Sequence, residues 1–209
     1  MTDFRALHQP GNPFILGNAW DVGSARMLVA LGARAIATSS ARDLADHLSV
    51  PVSADLEDGY GPDPADCAET VELAALAGLA GCCIEDVTPN GAPYDFDLSV
   101  ARTDAAVKAA RRANHDFVFC ARADGVMHGT YDLDEAIRRL QAFEAVGADV
   151  LYCPMPETIE GLTRLCASVT APVNALAAGP WTQTSRDELP PSGSPASRSG
   201  RPWRAPRIR

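Results

Sequence analysis

The stretch VPVSADLEDGYG, residues 50–61, decides the fold class of this chain. It begins as an apolar run suited to a buried strand, and it ends in acidic residues followed by two glycines. Asp55 and Glu57 are two positions apart, so on an extended strand their side chains point to the same side, while Asp58 follows in the loop. A buried strand that ends in carboxylates is typical of parallel α/β proteins, in which functional groups gather where the strands end.

Runs of the same kind recur on both sides of this stretch and alternate with segments of helical period. This alternation is the pattern of βαβ units on a parallel sheet. With residues 50–57, the predicted strands are 14–20, 35–40, 81–86, 117–124, 149–154 and 172–177. The predicted helices are 22–32, 64–79, 97–113, 131–147 and 157–169.

Nearly continuous apolar strands indicate a sheet buried on both faces, either a closed barrel or a doubly wound sheet. The barrel is favoured because polar residues end many strands, whereas an open sheet concentrates its site at one switch point. These residues are Asn18, Ser39, Asp55, Glu57, Glu85, Arg122, Asp124 and Asn174. No G-x-G-x-x-G motif follows any strand. We therefore predict an α/β fold of the (β/α)8 TIM-barrel type.

Two segments predict that this barrel is incomplete. Residues 41–50 are close to the minimum of about 10–12 residues for a whole crossover, which indicates a missing loop. Residues 190–209 are rich in Pro, Ser, Gly and Arg and have no hydrophobic period. We expect residues 1–189 to form the catalytic barrel domain and 190–209 to be a disordered tail in place of the eighth strand. With one base inserted and a suitable choice of codons, the tail reads as an ordinary barrel ending, so we predict a shift of reading frame.

Composition excludes several classes of function. The net charge is −9, and five arginines lie in the last twenty residues, so the rest of the chain is strongly acidic and disfavours nucleic acid. No apolar run approaches the roughly 18 residues of a membrane span, and no secretory signal is recognisable, so we expect a cytoplasmic protein. Six scattered cysteines are expected to be reduced and buried, and the four histidines lack zinc-ligand spacing.

Three carboxylates at strand ends predict a metal site. Asp55, Glu57 and Glu85 stand at the ends of consecutive strands and would repel one another without a cation among them. Oxygen ligands select a hard ion, so we predict Mg²⁺ with Mn²⁺ as a substitute. The alternative is that these acids cap the following helices or are solvated in loops.

Two further groups could bind substrate. Arg122 ends a strand and could hold a carboxylate or phosphate bidentately, or it could instead neutralise a nearby acid. Ser39 and Ser40 end another strand and could donate hydroxyl hydrogen bonds to a substrate carboxylate, although two serines alone are weak evidence.

These segments resemble the isocitrate lyase/phosphoenolpyruvate mutase superfamily. The resemblance covers roughly residues 12–189 and rests on five segments in the family's order and spacing: NAWDVGSARMLVALGARAIATSS, VPVSADLEDGYG, GCCIED, FVFCARADG and PVNALAAGP. It implies a (β/α) barrel in which Mg²⁺-stabilised enolates form next to a carboxylate. Its members are commonly homo-oligomers, an expectation that an incomplete barrel weakens.

The resemblance also assigns roles to individual residues. Asp55 would contact the metal directly, and Glu57 and Glu85 would hold metal-bound waters. Arg122 would bind the substrate, and Ser39 with Ser40 would form the loop that binds its carboxylate. Arg122 and Ser39 would act in catalysis. Trp20 lies at the end of the first strand and is a candidate substrate-binding residue, although the resemblance leaves its role open.

The chain departs from the family's lyases at two loops. The K-[KR]-C-G-H motif is absent, since residues 87–97 read VTPNGAPYDFD, and this favours the phosphonomutase-like, carboxyvinyl-carboxyphosphonate phosphorylmutase-like branch. In residues 41–50, Asp43 is the acid nearest to the position where the family has a metal-binding aspartate, and Asp43 fits a shortened helix better. The predicted function is a Mg²⁺-dependent lyase or mutase of a small 2-oxo or 2-hydroxy carboxylate or a phosphonate. The alternative is a catalytically defective member.

Overall fold

The computed structural model describes residues 3–9, 12–38, 45, 47–156 and 158–176. Within them, seven parallel strands follow one another in chain order and form a curled half-barrel. The strands are β1 (Gly17–Asn18), β2 (Ile36–Thr38), β3 (Val52–Asp55), β4 (Gly81–Ile84), β5 (Val118–Arg122), β6 (Val150–Tyr152) and β7 (Val173–Asn174). All seven predicted strands are confirmed, each shorter than the run that predicted it.

One helix precedes the first strand, and the others follow strands along the chain. They are α1 (Phe4–Leu7), α2 (Val22–Ala30), α3 (Pro64–Leu76), α4 (Phe96–Arg112), α5 (Gly125–His128), α6 (Leu133–Ala145) and α7 (Ile159–Ser168). The five predicted helices are confirmed, and α1 and α5 are single turns that the sequence pattern did not predict. The predicted eighth-strand replacement lies in residues 190–209, outside the described residues, as do residues 41–44 and 46 of the short connection 41–50.

Side-chain caps explain where several helices begin. Asp21 accepts a hydrogen bond from the N–H of Ser24 at 2.6 Å, and Ser24 Oγ accepts one from the N–H of Asp21 at 3.2 Å. Asp132 accepts from the N–H of Glu135 at 2.9 Å at the start of α6. Each cap satisfies backbone donors that the first helical turn leaves without partners. The positions of these helices are therefore encoded locally.

Apolar side chains fill the space between the strands and the helices, and a separate cluster closes the barrel at the amino ends of the strands. In that second cluster, Phe4 and Leu7 of α1 pack against Val118 and Val150 at the starts of β5 and β6. The carboxyl ends of the strands, at the opposite side, are left for polar side chains. No helix of the described residues has the length and apolar character needed to cross a membrane.

All six cysteines are free thiols. Cys67, Cys82, Cys153 and Cys166 are buried as expected from the sequence, whereas Cys83 and Cys120 are partly buried. Burial raises the pKa of the Cys67 thiol to about 11, which makes it a weak nucleophile at neutral pH. The cysteines are therefore packing residues.

Candidate active site

The carboxyl ends of β3, β4 and β5 bring the predicted acidic and basic residues together. Asp55 is in register with Cys83 on β4, and Cys83 is in register with Cys120 on β5. This alignment places the residues that end the three strands, Asp55, Glu85 and Arg122, side by side. These three residues are predicted in separate roles, two as metal ligands and Arg122 as a substrate-binding residue, and those roles stay predictions.

Arg122 occupies the centre of this group. Its Nη1 donates to Asp55 Oδ2 at 2.7 Å, and its Nη2 lies 3.0 Å from Glu85 Oε1. Its Nε and Nη2 donate to the two oxygens of Asp124, at 3.1 and 2.6 Å, as a bidentate pair. Three carboxylates on three neighbouring strand ends therefore share one guanidinium, which we call the Arg122 cluster (Asp55, Glu85, Arg122 and Asp124).

The members of the Arg122 cluster differ in exposure. The side chain of Asp124 is fully buried and that of Arg122 nearly so, whereas the side chain of Asp55 is 43% exposed. Burial opposes the charge of Arg122, but the neighbouring Cys83, Asp124 and Asp55 raise its pKa above the ordinary value. The guanidinium is therefore a permanent cation, and Asp55 is the partner that solvent and small molecules can reach.

Glu57 lies beyond the end of β3, although the sequence predicted it to continue the strand. Its φ is +50°, in the left-handed region, so the alternation of an extended strand does not apply to it. Its N–H donates to Asp55 Oδ1 at 3.3 Å, and its carbonyl accepts from the N–H of Glu85 at 2.7 Å. The backbone therefore places Glu57 next to Asp55 and Glu85, with its side chain exposed.

A buried arginine of α4 holds the loop that follows Glu57. Arg102 donates from Nη1 to the carbonyl of Gly61 at 2.5 Å and from Nη2 to the carbonyl of Asp58. Its guanidinium also lies 4.0 Å above the ring of Tyr94, whose hydroxyl donates to Asp58 Oδ2 at 2.9 Å. The acidic loop is thus attached to the helix behind it.

Asp86 is a second buried carboxylate that the sequence reasoning did not single out. It follows Glu85 directly, and it accepts hydrogen bonds from the N–H of Asp124, the hydroxyl of Tyr131 and Nη1 of Arg139. A signal for this network exists in the sequence, because Arg139 falls on the apolar face of α6 with Ala136 and Leu140. A charged residue on an apolar helix face indicates a buried partner.

Of the remaining candidate site residues, the structure describes Trp20. Trp20 follows β1 and is 71% exposed, and its backbone N–H donates to Ser24 Oγ at 3.3 Å. Ser39, Ser40 and Asp43 are outside the described residues.

The loop that lacks the cysteine motif is a compact turn. Val87 bridges Pro93, the N–H of Thr88 donates to the carbonyl of Ala92 at 2.8 Å, and Gly91 has a φ of +79°. A Cβ at position 91 would lie 2.8 Å from Nδ1 of His128, so this turn requires glycine.

The three carboxylates of the Arg122 cluster are suitable ligands for a hard divalent cation. In this structure they bind the guanidinium of Arg122 instead. Among the described residues, no three acidic, histidine or cysteine side chains are already arranged as a metal site. The cluster nevertheless has three carboxylates for one cation. The pKa of Glu85 is raised to about 7, chiefly by burial and further by the charges of Asp124, Asp55 and Glu57. Arg122 acts in the opposite direction. This excess of negative charge is what a bound cation would relieve.

Comparison with known proteins identifies relatives of the whole described fold. Residues 4–43 and 41–193 match the family model of phosphoenolpyruvate phosphomutase. An uncharacterized protein of Mycobacterium tuberculosis is 31% identical over 83% of this chain and 73% of its own length. The oxaloacetate decarboxylase of a Bradyrhizobium species is 33% identical over 72% of this chain and 56% of its own length.

A solved structure agrees with these relatives. The crystal structure of a candidate lyase/mutase from Burkholderia cenocepacia superimposes with a TM-score of 0.84 at 41% identity, over 90% of this chain and 76% of that chain. The similarity therefore extends through the strands and helices that carry the Arg122 cluster.

Proposed function

Because the chain belongs to the isocitrate lyase/phosphoenolpyruvate mutase superfamily, we propose that it is a Mg²⁺-dependent lyase or mutase. Its proposed reaction cleaves or forms a C–C or P–C bond in a small 2-oxo or 2-hydroxy carboxylate or a phosphonate. The reaction passes through an enolate. One observation carries the proposal: the guanidinium of Arg122 lies among three carboxylates at neighbouring strand ends.

Arg122 is suited to bind and stabilise an anion. Its planar fork matches a carboxylate bidentately, and its burial makes a charge interaction stronger than it would be in water. Asp124 is fully buried and Asp55 is half exposed, so Asp55 is the partner that a substrate carboxylate can displace from Nη1. When negative charge develops on the enolate oxygen, a fixed cation beside it lowers the energy of that state.

Asp55, Glu57 and Glu85 are the residues proposed to hold Mg²⁺, Asp55 directly and the other two through water. A bound Mg²⁺ would act as a Lewis acid that polarises the substrate carbonyl. The proposal is supported by the oxygen donors, the excess negative charge around Glu85 and the proximity of Glu57 to Glu85 through their backbone hydrogen bond. Ser39 and Ser40 are proposed to donate to the substrate carboxylate, with Ser39 and Arg122 acting in catalysis and Trp20 beside the substrate.

A defective, non-catalytic protein is the second candidate. It is favoured by the ten-residue connection 41–50, which is too short for the long loop expected after β2. Lids of this kind exclude water and complete active sites in many enzymes.

Turnover assays separate the two candidates. Oxaloacetate, phosphoenolpyruvate, phosphonopyruvate and methylisocitrate are each incubated with the protein in millimolar Mg²⁺ and, as the control, in excess EDTA. The proposed function predicts Mg²⁺-dependent turnover of at least one compound and a rise in Tm with Mg²⁺, because ligands of the native state stabilise it by mass action. No turnover together with no change in Tm would establish the defective protein instead.

A further inference from the structure

We propose that Asp86, together with Tyr131 and Arg139, is a positioning group that holds Asp124, and through it Arg122, in place for the reaction. This inference rests on the proposed function. It assigns a role to three residues that lie behind the Arg122 cluster and would act through it. We call them the Asp86 network.

Asp86 uses both of its oxygens. Oδ1 accepts the backbone N–H of Asp124 at 2.8 Å, while Oδ2 accepts the hydroxyl of Tyr131 at 2.7 Å and Nη1 of Arg139 at 3.0 Å. The residue is 3% exposed, so water does not compete for these bonds. Asp86 therefore ties the backbone after β5 to groups that precede and belong to α6.

Arg139 is fixed by partners on two helices. Its Nε donates to Glu135 Oε1 at 2.9 Å, one turn earlier on α6, and its Nη1 also donates to Ser99 Oγ on α4 at 3.0 Å. Its guanidinium lies 4.9 Å from the centre of the Tyr131 ring. Because Arg139 has little freedom, the carboxylate of Asp86 is held in one orientation.

Asp124 transmits this orientation to the site. Its backbone N–H is bound by Asp86, and its carboxylate forms the bidentate pair with Arg122. A shift of the Asp124 backbone therefore moves both hydrogen bonds of the pair together. Active sites depend on positions held within about 0.5 Å, so a small shift of Arg122 affects the chemical step.

The chain contains a matched control for this network. Asp149 is also a buried carboxylate that accepts a backbone N–H, that of Phe119 at 2.9 Å, and it is also paired with arginines, Arg5 and Arg111. It lies at the amino ends of β5 and β6, at the opposite side of the barrel from the Arg122 cluster. A substitution of Asp149 therefore disturbs the fold to a similar degree without reaching the site.

The first experiment compares turnover per folded molecule, well below Tm, in four variants. Asp86→Ala and Tyr131→Phe are expected to lower kcat by about 10- to 100-fold, as loss of supporting hydrogen bonds does in other sites. Asp86→Asn keeps one carbonyl oxygen for the N–H of Asp124 and is expected to restore part of the kcat. Asp149→Asn should keep the wild-type kcat. Wild-type kcat in Asp86→Asn and Tyr131→Phe would overturn the inference, even if Asp86→Ala did not fold.

A double-mutant cycle tests whether Asp86 acts through Asp124. If it does, adding Tyr131→Phe or Asp86→Ala to an Asp124→Asn variant should lower kcat only slightly. Asp124→Asn alone already removes the positioning that Asp86 and Tyr131 provide. Multiplying effects, as independent structural damage would give, would contradict the inference.

A measurement that does not require enzymatic activity can test this inference independently of the proposed function. Hydrogen exchange of the Asp124 amide, measured by NMR, should be faster in Asp86→Ala and Tyr131→Phe than in the wild type, with no such change in Asp149→Asn. Unchanged exchange in Tyr131→Phe and Asp86→Ala would overturn the inference. A wild type that turns over no compound of the panel would defeat the proposed function, while the exchange rates would still decide what Asp86 positions.

Discussion

Arg122 is the side chain whose chemistry the rest of the site depends on. A lysine could neutralise the same acids as a point charge, but only the guanidinium can pair bidentately with Asp124 while a separate N–H reaches Asp55. Its burial makes these contacts strong, and the neighbouring Cys83, Asp124 and Asp55 keep it charged by raising its pKa. The site therefore requires an arginine, and not merely a positive charge.

Substitution of Arg122 by lysine tests this requirement. Arg122→Lys should lower kcat/KM by about 100-fold or more, the cost typical of losing a transition-state donor. The matched control is Arg138→Lys, since Arg138 is exposed on α6 and pairs with Glu135 at its surface. Steady-state kinetics check both variants. Equal kcat/KM in Arg122→Lys and Arg138→Lys would show that the fork of Arg122 has no role in the reaction.

We expect Asp149, at the other end of the barrel, to contribute to stability against acid. Burial alone would raise its pKa, but hydrogen bonds from Arg111, Arg5 and the N–H of Phe119 bring the pKa below the ordinary value of 3.8. A lowered carboxyl pKa stabilises the fold above the unfolded-state pKa, and this contribution is lost as the pH falls through the native value.

Asp149→Asn should therefore lower the free energy of unfolding by about 1–3 kcal/mol at pH 7. The difference from the wild type should shrink as the pH falls from 5 through the native pKa of Asp149. Urea unfolding at a series of pH values measures it. A difference that stays constant down to the acid limit would mean that the charge of Asp149 contributes nothing.

The residues that the sequence identified are those whose chemistry can be read at strand ends, namely Asp55, Glu85 and Arg122. The partners Asp86, Arg102 and Arg139 were missed because their roles depend on which helix packs against which strand. The sequence nevertheless contains a signal for two of them, since Arg102 and Arg139 fall on the apolar faces of α4 and α6. Ser39 and Ser40 stay predictions.

Helices and strands were predicted well because their signals are local. Apolar runs and helical periods gave seven strands and five helices, while the single-turn helices α1 and α5 are too short to show a period. The loop after β3 was predicted as a continued strand, and its left-handed residues Glu57 and Tyr60 depend on tertiary contacts. Arg102 of α4 donates to the carbonyls of Asp58 and Gly61 in the same loop.

Removing the Arg102 side-chain charge tests how the acidic loop is held. Arg102→Met leaves the carbonyls of Asp58 and Gly61 without their donor, and it should lower the free energy of unfolding by about 1–3 kcal/mol. Affinity for Mg²⁺ should fall as well, because Glu57 precedes this loop. Arg112→Met is the control on the same helix, where an exposed pair with Glu72 should matter little. Similar unfolding energies for the two variants would contradict the attachment.

The barrel as a whole was predicted from the distribution of polar residues over many strand ends, and the family match agrees with it. How the sheet is completed between β7 and β1 could not be decided by the same reasoning. The prediction for residues 190–209 therefore remains a proposal, that they are a disordered, frameshifted tail. The gene sequence around the codon for Leu189 tests the frameshift directly.

Limited proteolysis tests the proposed division of the chain at residue 189. Brief trypsin treatment should first cut after the arginines of the tail that proline does not follow, such as Arg198 and Arg204, and leave a barrel with unchanged far-UV circular dichroism. Mass spectrometry identifies the products. A tail that resists trypsin as well as the strands do would show that residues 190–209 belong to the folded domain.

The central claim is that the strand ends of β3, β4 and β5 form a Mg²⁺-dependent active site. The measurement that tests it most directly is turnover as a function of Mg²⁺ concentration in the wild type and in Asp55→Ala, with circular dichroism as the check on folding. The account predicts saturable Mg²⁺ activation in the wild type and no metal-dependent turnover in a folded Asp55→Ala variant. Wild-type turnover and Mg²⁺ dependence in Asp55→Ala would contradict it.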